Sequence, residues 1–559
     1  MGRLTLRFDA KSLAIAGAVA LLLLFGAFPI ILLVVKSFTA EGRVTLENFI
    51  RVYGNEANMR SVLDTCKVAG LTMIVSVLIS FPLAWLVGRS DLPLKGLFRT
   101  LIVTPYMIPP FVGAIAWTYL ANPRIGYLNR IFQSLFGTEQ APFNIYSMGG
   151  LVWVFVLFYF PFSFLAVSRA LEKMDPSLEE AARISGAGTW RVLRDVTIPL
   201  MTPALVAGAL LVFVAVASAF GVPAIIGGPA QLHVVTTQII NYVYIGTPEA
   251  LRESTALATV LLAMAMTVLW FSNWYVSRRE YFTVGGKSTR PSTVELGKWR
   301  WPLAILFGAV CFVFAVLPIG ALVMTSFIKS MGQPIGGSNW SLDTWKTVLE
   351  DRETWKTLKV SLITAVSTAT VATLVGLLIA YLKVKTRIRF RAVPDFLATF
   401  TNATPGIVVA LGLIIAFSGG YGLNLYGTIW ILIVAYFVHH LSFAVRTSGA
   451  ALEQMHPSLE EAALSSGAGW LRVFKDITIP LVAPSLIGGW FLVFMPSFYE
   501  LTMSVLLFST RTRPSGVFLY DLQSYADPQS AAVLSVLILT LVLVGNGLMK
   551  WATRGRVGI

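Results

Sequence analysis

The chain has 559 residues, of which 56% are hydrophobic and 13% charged, with a formal net charge of +15 at pH 7. A soluble domain of ordinary composition is about 45–50% apolar and about 25% charged, so there is too little charge here to cover a soluble surface of this size, and a soluble enzyme is excluded. The apolar residues fall in uninterrupted blocks of about twenty or more, which predicts transmembrane helices and excludes a transmembrane β-barrel, whose strands alternate apolar with polar residues.

Spans are predicted at 12–36, 62–87, 99–121, 148–171, 198–222 and 255–277, and again at 302–327, 358–382, 393–417, 426–448, 482–508 and 529–551. Each reaches the roughly 20 residues that cross a hydrocarbon core of about 30 Å at 1.5 Å rise per residue. The first follows Arg3, Arg7 and Lys11, as the core of a signal peptide would. It is too long for such a core and lacks a small-x-small cleavage site, so it is read as a retained helix. With the N-terminus inside, 28 of the 43 basic residues fall on the cytoplasmic side and 15 outside. The inner set includes Arg89, Lys95, Arg99, the pair Arg278–Arg279 and the run Lys383, Lys385, Arg387, Arg389, Arg391, which predicts both termini in the cytoplasm. This asymmetry accounts for the basic balance, so no nucleic-acid partner is expected. Cys66 and Cys311 lie far apart in separate apolar segments. They have neither metal spacing nor a disulfide framework, and both are expected in the core.

The chain repeats itself. The segment from Asp175 through Pro-Ser-Leu-Glu-Glu-Ala-Ala-Arg-Ile-Ser-Gly-Ala-Gly to Val196-Thr-Ile-Pro-Leu200 recurs 281 residues later. The second copy runs from His456 through Pro-Ser-Leu-Glu-Glu-Ala-Ala-Leu-Ser-Ser-Gly-Ala-Gly to Ile477-Thr-Ile-Pro-Leu481. Earlier matches, such as Ala84-Trp85-Leu86 with Ala380-Tyr381-Leu382 and Pro109 with Pro405, are 296 residues apart. The surplus in the first half is assigned to the long outer loop 122–147. These observations predict an all-α polytopic membrane protein of about twelve helices in two pseudosymmetric six-helix halves, 1–278 and 301–559. Between them the polar connector 279–300, with Gly285-Gly286 and Pro291, has the composition of a tether.

Both copies of the strong repeat lie between the fourth and fifth spans of their half, on the basic side. Loops of membrane proteins are commonly variable and polar, whereas this one encodes a small helix. Pro176 and Pro457 stand near its start, and Glu180 and Glu461 favour the positive end of its dipole. Ala181–Ala182 and Ala462–Ala463 keep it smooth, Gly186 and Gly467 end or bend it, and Gly188 and Gly469 loosen the exit. Pro199 and Pro480 mark the return to the membrane. The plain alternative is an interfacial helix that merely closes two spans, but such a connector has no reason to recur at identical spacing.

The pattern Glu-Ala-Ala-x3-Gly-x9-Ile-x-Leu-Pro resembles the signature loop of permease subunits of bacterial ABC importers. It is matched at Glu180, Ala181, Ala182, Gly186 and Pro199 and at Glu461, Ala462, Ala463, Gly467 and Pro480, with Val196, Ile198 and Ile479 as aliphatic departures. The resemblance implies the type I importer permease fold and gives loops 175–200 and 456–481 the role of coupling helices. These would dock on two copies of a cytoplasmic ABC ATPase, which carry the ATP and magnesium, while a periplasmic binding protein delivers substrate. The chain itself is assigned no cofactor, no metal and no covalent chemistry, and its other surroundings are membrane lipid in the bacterial inner membrane. Fusion of both halves looks most like the ferric-iron permease group, whose relatives carry thiamine, polyamines or aminoethylphosphonate. The stretches Thr104-Pro-Tyr-Met-Ile-Pro-Pro-Phe-Val-Gly-Ala-Ile-Ala-Trp117 and Phe220-Gly-Val-Pro-Ala-Ile-Ile-Gly-Gly228 resemble iron-type members. A secondary transporter of twelve helices fits composition equally well but has no use for two docking loops.

Gly285-Gly-Lys-Ser-Thr289 resembles the end of a P-loop, but Tyr281 stands where the first glycine belongs, so it is read as linker. Glu500, in the predicted eleventh span, is costly at membrane depth and should face a bundle interior or cavity. It either lines the pathway or its gate, or forms a structural polar pair. His439 and His440 are adjacent and point to different helix faces, which favours packing or interhelical hydrogen bonds over a metal clasp. Asn402, before Pro405, and Pro109–Pro110 mark broken helices, which line a cavity or pack inside a bundle.

Overall fold

The computed structural model describes residues 10–278, 293–333, 337–386 and 390–553. Among them ten helices are long and apolar enough to cross a membrane, and two bent pairs raise the number to twelve when each pair counts as one span. The first half consists of α1 (Leu13–Ser37), α2 (Glu56–Arg89), the pair α3 (Lys95–Met107) and α4 (Pro110–Ala121), α5 (Met148–Lys173), the short α6 (Pro176–Ile184), α7 (Thr189–Ala217) and α8 (Pro248–Ser277). The second half repeats that order. It consists of α9 (Gly297–Ser326), α10 (Arg352–Lys385), the pair α11 (Val393–Ala403) and α12 (Gly406–Phe417), α13 (Ile429–Gln454), the short α14 (Ser458–Ser465), α15 (Phe474–Phe498) and α16 (Pro528–Ala552).

The third span of each half, expected over 99–121 and 393–417 with breaks marked by Pro109–Pro110 and by Asn402 before Pro405, is two helices, bent by 95° in the first half and 107° in the second. The cause is local. Ile108 and Thr404 precede Pro109 and Pro405, and the proline ring excludes the residue before it from helical conformation. Both are extended, at φ −86°, ψ 130° and φ −75°, ψ 132°. The inner limb α4 is apolar on every face and buried from Phe111 to Ala121, as expected of a helix at the centre of a bundle.

The second and fourth spans of each half pack through small residues. Ser61, Thr65, Ala69, Thr72, Ser76 and Ser80 are buried along α2, and a Cβ on Gly376 of α10 would stand 2.7 Å from the Ala444 methyl of α13. In lipid, where oiliness cannot choose between neighbours, such close approach gives helix pairs their van der Waals contact.

The first helix of each half crosses to the other. On α1, a Cβ built on Gly26 would lie 2.6 Å from Thr401 Cγ2, and the Pro29 carbonyl oxygen lies 2.8 Å from where Gly412 would carry a Cβ. Phe25 meets Phe417 at 5.6 Å between ring centroids. In return, Phe307 of α9 meets Phe98 at 4.7 Å, Phe314 meets Phe160 at 5.2 Å, and the Thr325 and Tyr127 hydroxyls bond at 2.9 Å. The halves are therefore interleaved.

Of the expected tether, 279–292, including Gly285-Gly286, Lys287 and Pro291, lies outside the described residues, as do Arg387 and Arg389. Its described end is bound to the first half. The Val294 amide donates to the Arg89 carbonyl at 2.8 Å, and the Leu296 amide donates to the Asp91 carboxylate at 2.8 Å. Cys311 is buried as expected, but Cys66 is exposed.

Candidate functional site: the paired docking loops

The chain leaves α5 and turns at Asp175, whose carboxylate accepts the Ser177 amide at 2.9 Å and caps α6. The backbone amide and hydroxyl of Ser177 hold the Asp175 carboxyl below the usual carboxylate range. Pro176 occupies the first helical position, where its missing N–H costs nothing. Gly186, at φ +83°, then ends the helix. Its amide donates to the Arg183 carbonyl at 2.9 Å and the Ala187 amide to the Ala182 carbonyl at 3.0 Å, the paired bonds of a Schellman turn. In the second loop Gly467, at φ +84°, does the same: its amide meets the Leu464 carbonyl at 3.0 Å, and the Ala468 amide meets the Ala463 carbonyl at 3.1 Å. The left-handed position is why glycine stands at both sites. A π turn follows in each copy, Leu193–Thr197 and Phe474–Thr478, and leads the chain back past the exposed Pro199 and Pro480.

Glu180, Ala181, Glu461 and Ala462 are exposed, and Ala182 and Ala463 are half-buried. Around them stand apolar side chains open to solvent: Leu178, Ile184 and Trp190 in the first loop, Leu459 and Leu464 in the second. Exposed apolar surface rimmed by polar groups is characteristic of a docking face.

Sequence reasoning chose the outward carboxylates and overlooked their neighbours. Glu179 is only 1% exposed. It accepts the Thr197 hydroxyl at 2.7 Å and stands 3.7 Å from the Arg89 guanidinium. Glu460 accepts the Thr478 hydroxyl at 2.9 Å and stands 3.7 Å from the Lys385 ammonium. Glu179, Thr197 and Arg89 do recur as Glu460, Thr478 and Lys385 at the two repeat offsets, but Glu180 recurs equally as Glu461, so repetition alone does not choose the inward carboxylate.

The four residues singled out for a pathway lie at the bends of the two broken spans and in the segment after α15. Pro109 is buried and Pro110 half-buried at the bend before α4. A Cβ on Gly221 would meet Phe111 at 2.6 Å and Leu501 at 3.1 Å, and one on Gly406 would meet Met503 at 3.2 Å. The segment after α15 thus sits between the two broken spans. Asn402 ties α11 to α13, its amide donating to the His439 carbonyl at 2.7 Å. His440 is buried, with its ring stacked on Phe443 at 6.1 Å between centroids. Among the described residues no group of three or more His, Cys, Asp or Glu could hold a metal ion.

The eleventh span, expected to run over 482–508, ends at Phe498, and Glu500 lies in the break that follows. Its carboxylate accepts the Met503 amide at 2.9 Å, the Ser504 amide at 2.9 Å and the Ser504 hydroxyl at 2.8 Å, capping the short helix Ser504–Leu507. Hydrogen bonds to a charged group contribute about 1.5–3 kcal/mol. Glu500→Gln, which turns an NH2 toward backbone N–H groups, is therefore expected to lower stability by about 2 kcal/mol. A thermal melt of the purified protein in detergent reads this directly, and an unchanged midpoint contradicts it.

These elements define a polytopic transport permease of two repeated, interleaved halves. Residues 80–280 and 372–557 match the family described as binding-protein-dependent transport system inner membrane component, and the chain belongs to that family, the permeases of ABC importers. It is a multi-pass protein of the bacterial inner membrane. It is 25% identical to the ferric transport system permease protein FbpB of Actinobacillus pleuropneumoniae, over 91% of this chain and 73% of that one. It is 26% identical to a putative ferric transport system permease of Haemophilus influenzae, over 89% and 77%. The molybdenum transport system permease protein ModB of Escherichia coli K12 is 30% identical over 38% of this chain and 92% of its own length. A solved chain of a bacterial alginate-importing ABC transporter overlays with a TM-score of 0.40 at 16% identity, covering 48% of this chain and 96% of that one.

Proposed function

We propose that this chain is the membrane pathway of an ATP-driven importer of ferric iron. The reading rests on the duplicated docking helix, with the same glycine stop and the same outward Glu-Ala pair in both halves, in a family of binding-protein-dependent permeases. Similarity to ferric transport permeases along most of the chain supports iron. Each loop, 175–200 and 456–481, engages one copy of a separate ABC ATPase, so two copies bind. ATP and magnesium belong to that subunit, and the permease needs no cofactor of its own. The loops and both termini face the cytoplasm, and a substrate-binding protein docks on the outer face. Residues 1–278 and 301–559 form the two permease halves, joined by 279–300. Closure of the ATPases rocks these halves, and substrate passes between the broken spans near Pro109, Pro110, Asn402 and the Glu500 turn.

The test is uptake of labelled ferric iron in cells lacking their own importer, supplied with this chain, its ATPase and its binding protein. Aminoethylphosphonate, thiamine, spermidine and molybdate are run alongside. Iron uptake that requires the ATPase and survives collapse of the proton gradient is the expected result. Uptake of another compound alone would retain the importer and discard iron.

A further inference from the structure

Behind each docking helix lies a buried charge cluster that no part of the docking motif requires. Arg89 is the last residue of α2, and like Glu179 it is almost wholly buried, at 2% exposed. Removing such charges from water is costly and is offset only by well-formed partners. The Arg89 Nη2 donates to the carbonyls of Leu171 and Met174 at 2.9 and 3.0 Å, where α5 ends. Its Nε stands 3.7 Å from one Glu179 oxygen, while the other accepts the hydroxyl of Thr197 in the π turn of α7. Three side chains thereby join α2, α5, α6 and α7. In the second half the Lys385 Nζ donates to the Met455 carbonyl at 3.1 Å and stands 3.7 Å from Glu460, which accepts the Thr478 hydroxyl. There the cation reaches one carbonyl instead of two, and the Glu460 side chain is 12% exposed against 2% for Glu179. Two bonds from one Nη2 fix the direction of the planar guanidinium, whereas an ammonium is a point charge on a flexible stem.

We infer that Glu179 and Glu460 are positioning residues that lock each docking helix to the inner ends of the second, fourth and fifth spans, with the first-half lock the stiffer. A push on the helix then turns its half as a body instead of bending the loop. This rests on the reading of α6 and α14 as ATPase-docking helices.

The test uses the whole importer in liposomes and reads two quantities: the ATPase retained by the permease, and the stimulation of ATP hydrolysis by substrate-loaded binding protein. Glu179→Gln is expected to retain the ATPase while stimulation falls about tenfold, within the usual span of coupling between sites, and Glu460→Gln is expected to lose less. Thr197→Val should lose stimulation and Thr197→Ser keep it, a rescue that simple loss of folding would not give. Unchanged stimulation in Glu179→Gln, or ATPase lost in step with stimulation, overturns the lock. The doubly charge-reversed Glu180→Lys, Glu461→Lys protein separates the two readings. If it sheds the ATPase while Glu179→Gln is silent, only the lock falls. If it keeps the ATPase, the docking assignment falls and takes the lock with it.

Discussion

Glu180→Lys combined with Glu461→Lys is expected to leave a folded permease that retains no ATPase and supports no uptake. Both carboxylates are exposed, and neither has a hydrogen bond or ion pair to the other described residues. Their replacement therefore removes nothing that holds the fold. A positive charge near the start of a helix costs about 0.3–1 kcal/mol at an exposed site, too little to unfold a domain. Against a partner surface built to meet two carboxylates, reversal instead brings like charges together, which costs several kcal/mol per interface. Co-purification of the ATPase and transport in the same membranes check both parts. Loss of uptake with the ATPase still bound would move these residues from docking to another step. Retained uptake that disappears when the proton gradient is collapsed would favour a secondary transporter.

Much of this architecture is legible because a membrane makes hydropathy decisive. Apolar length gave the spans, and Pro109 and Pro405 announced the two bends through the constraint each places on the residue before it. The repeated loop was legible through its duplication, and Gly186 and Gly467 through the left-handed turn they occupy. What stayed hidden required knowing neighbours. Along a nine-residue helix, Glu179 and Glu180 are equivalent until Arg89 is placed, and Arg89 comes from a span 90 residues earlier. Glu500 reads as a charge inside a span because Ser497-Phe-Tyr-Glu-Leu-Thr502 carries no obvious stop, yet Glu500 itself caps the next helix. The exchange of the first helices left no trace at all. α1 is apolar from Leu13 to Val35, and in lipid such a helix states only that it crosses, since partner choice rests on shape.

Gly412→Leu is the sharpest test of that exchange and is expected to prevent stable assembly. A Cβ at position 412 would stand 2.8 Å from the Pro29 carbonyl oxygen and 3.0 Å from its carbon. Those atoms are backbone, and no rotamer change moves them. Forcing extra carbons into a packed contact costs about 1–3 kcal/mol when the surroundings can shift. Here the alternative is to lift α1 off α12, which also parts Phe25 from Phe417 at 5.6 Å and Phe28 from Tyr421 at 5.9 Å. Gly17→Leu, on α1 itself but with no atom within 4 Å of its added Cβ, is expected to leave the protein unchanged, and Gly412→Ala to fall between. The thermal midpoint and the yield of monodisperse protein in detergent give the ranking. If α1 instead packed within its own half, Gly412 would face open lipid and accept leucine as readily as Gly17 does. Equal melting of the two leucine variants would therefore return α1 to its own half.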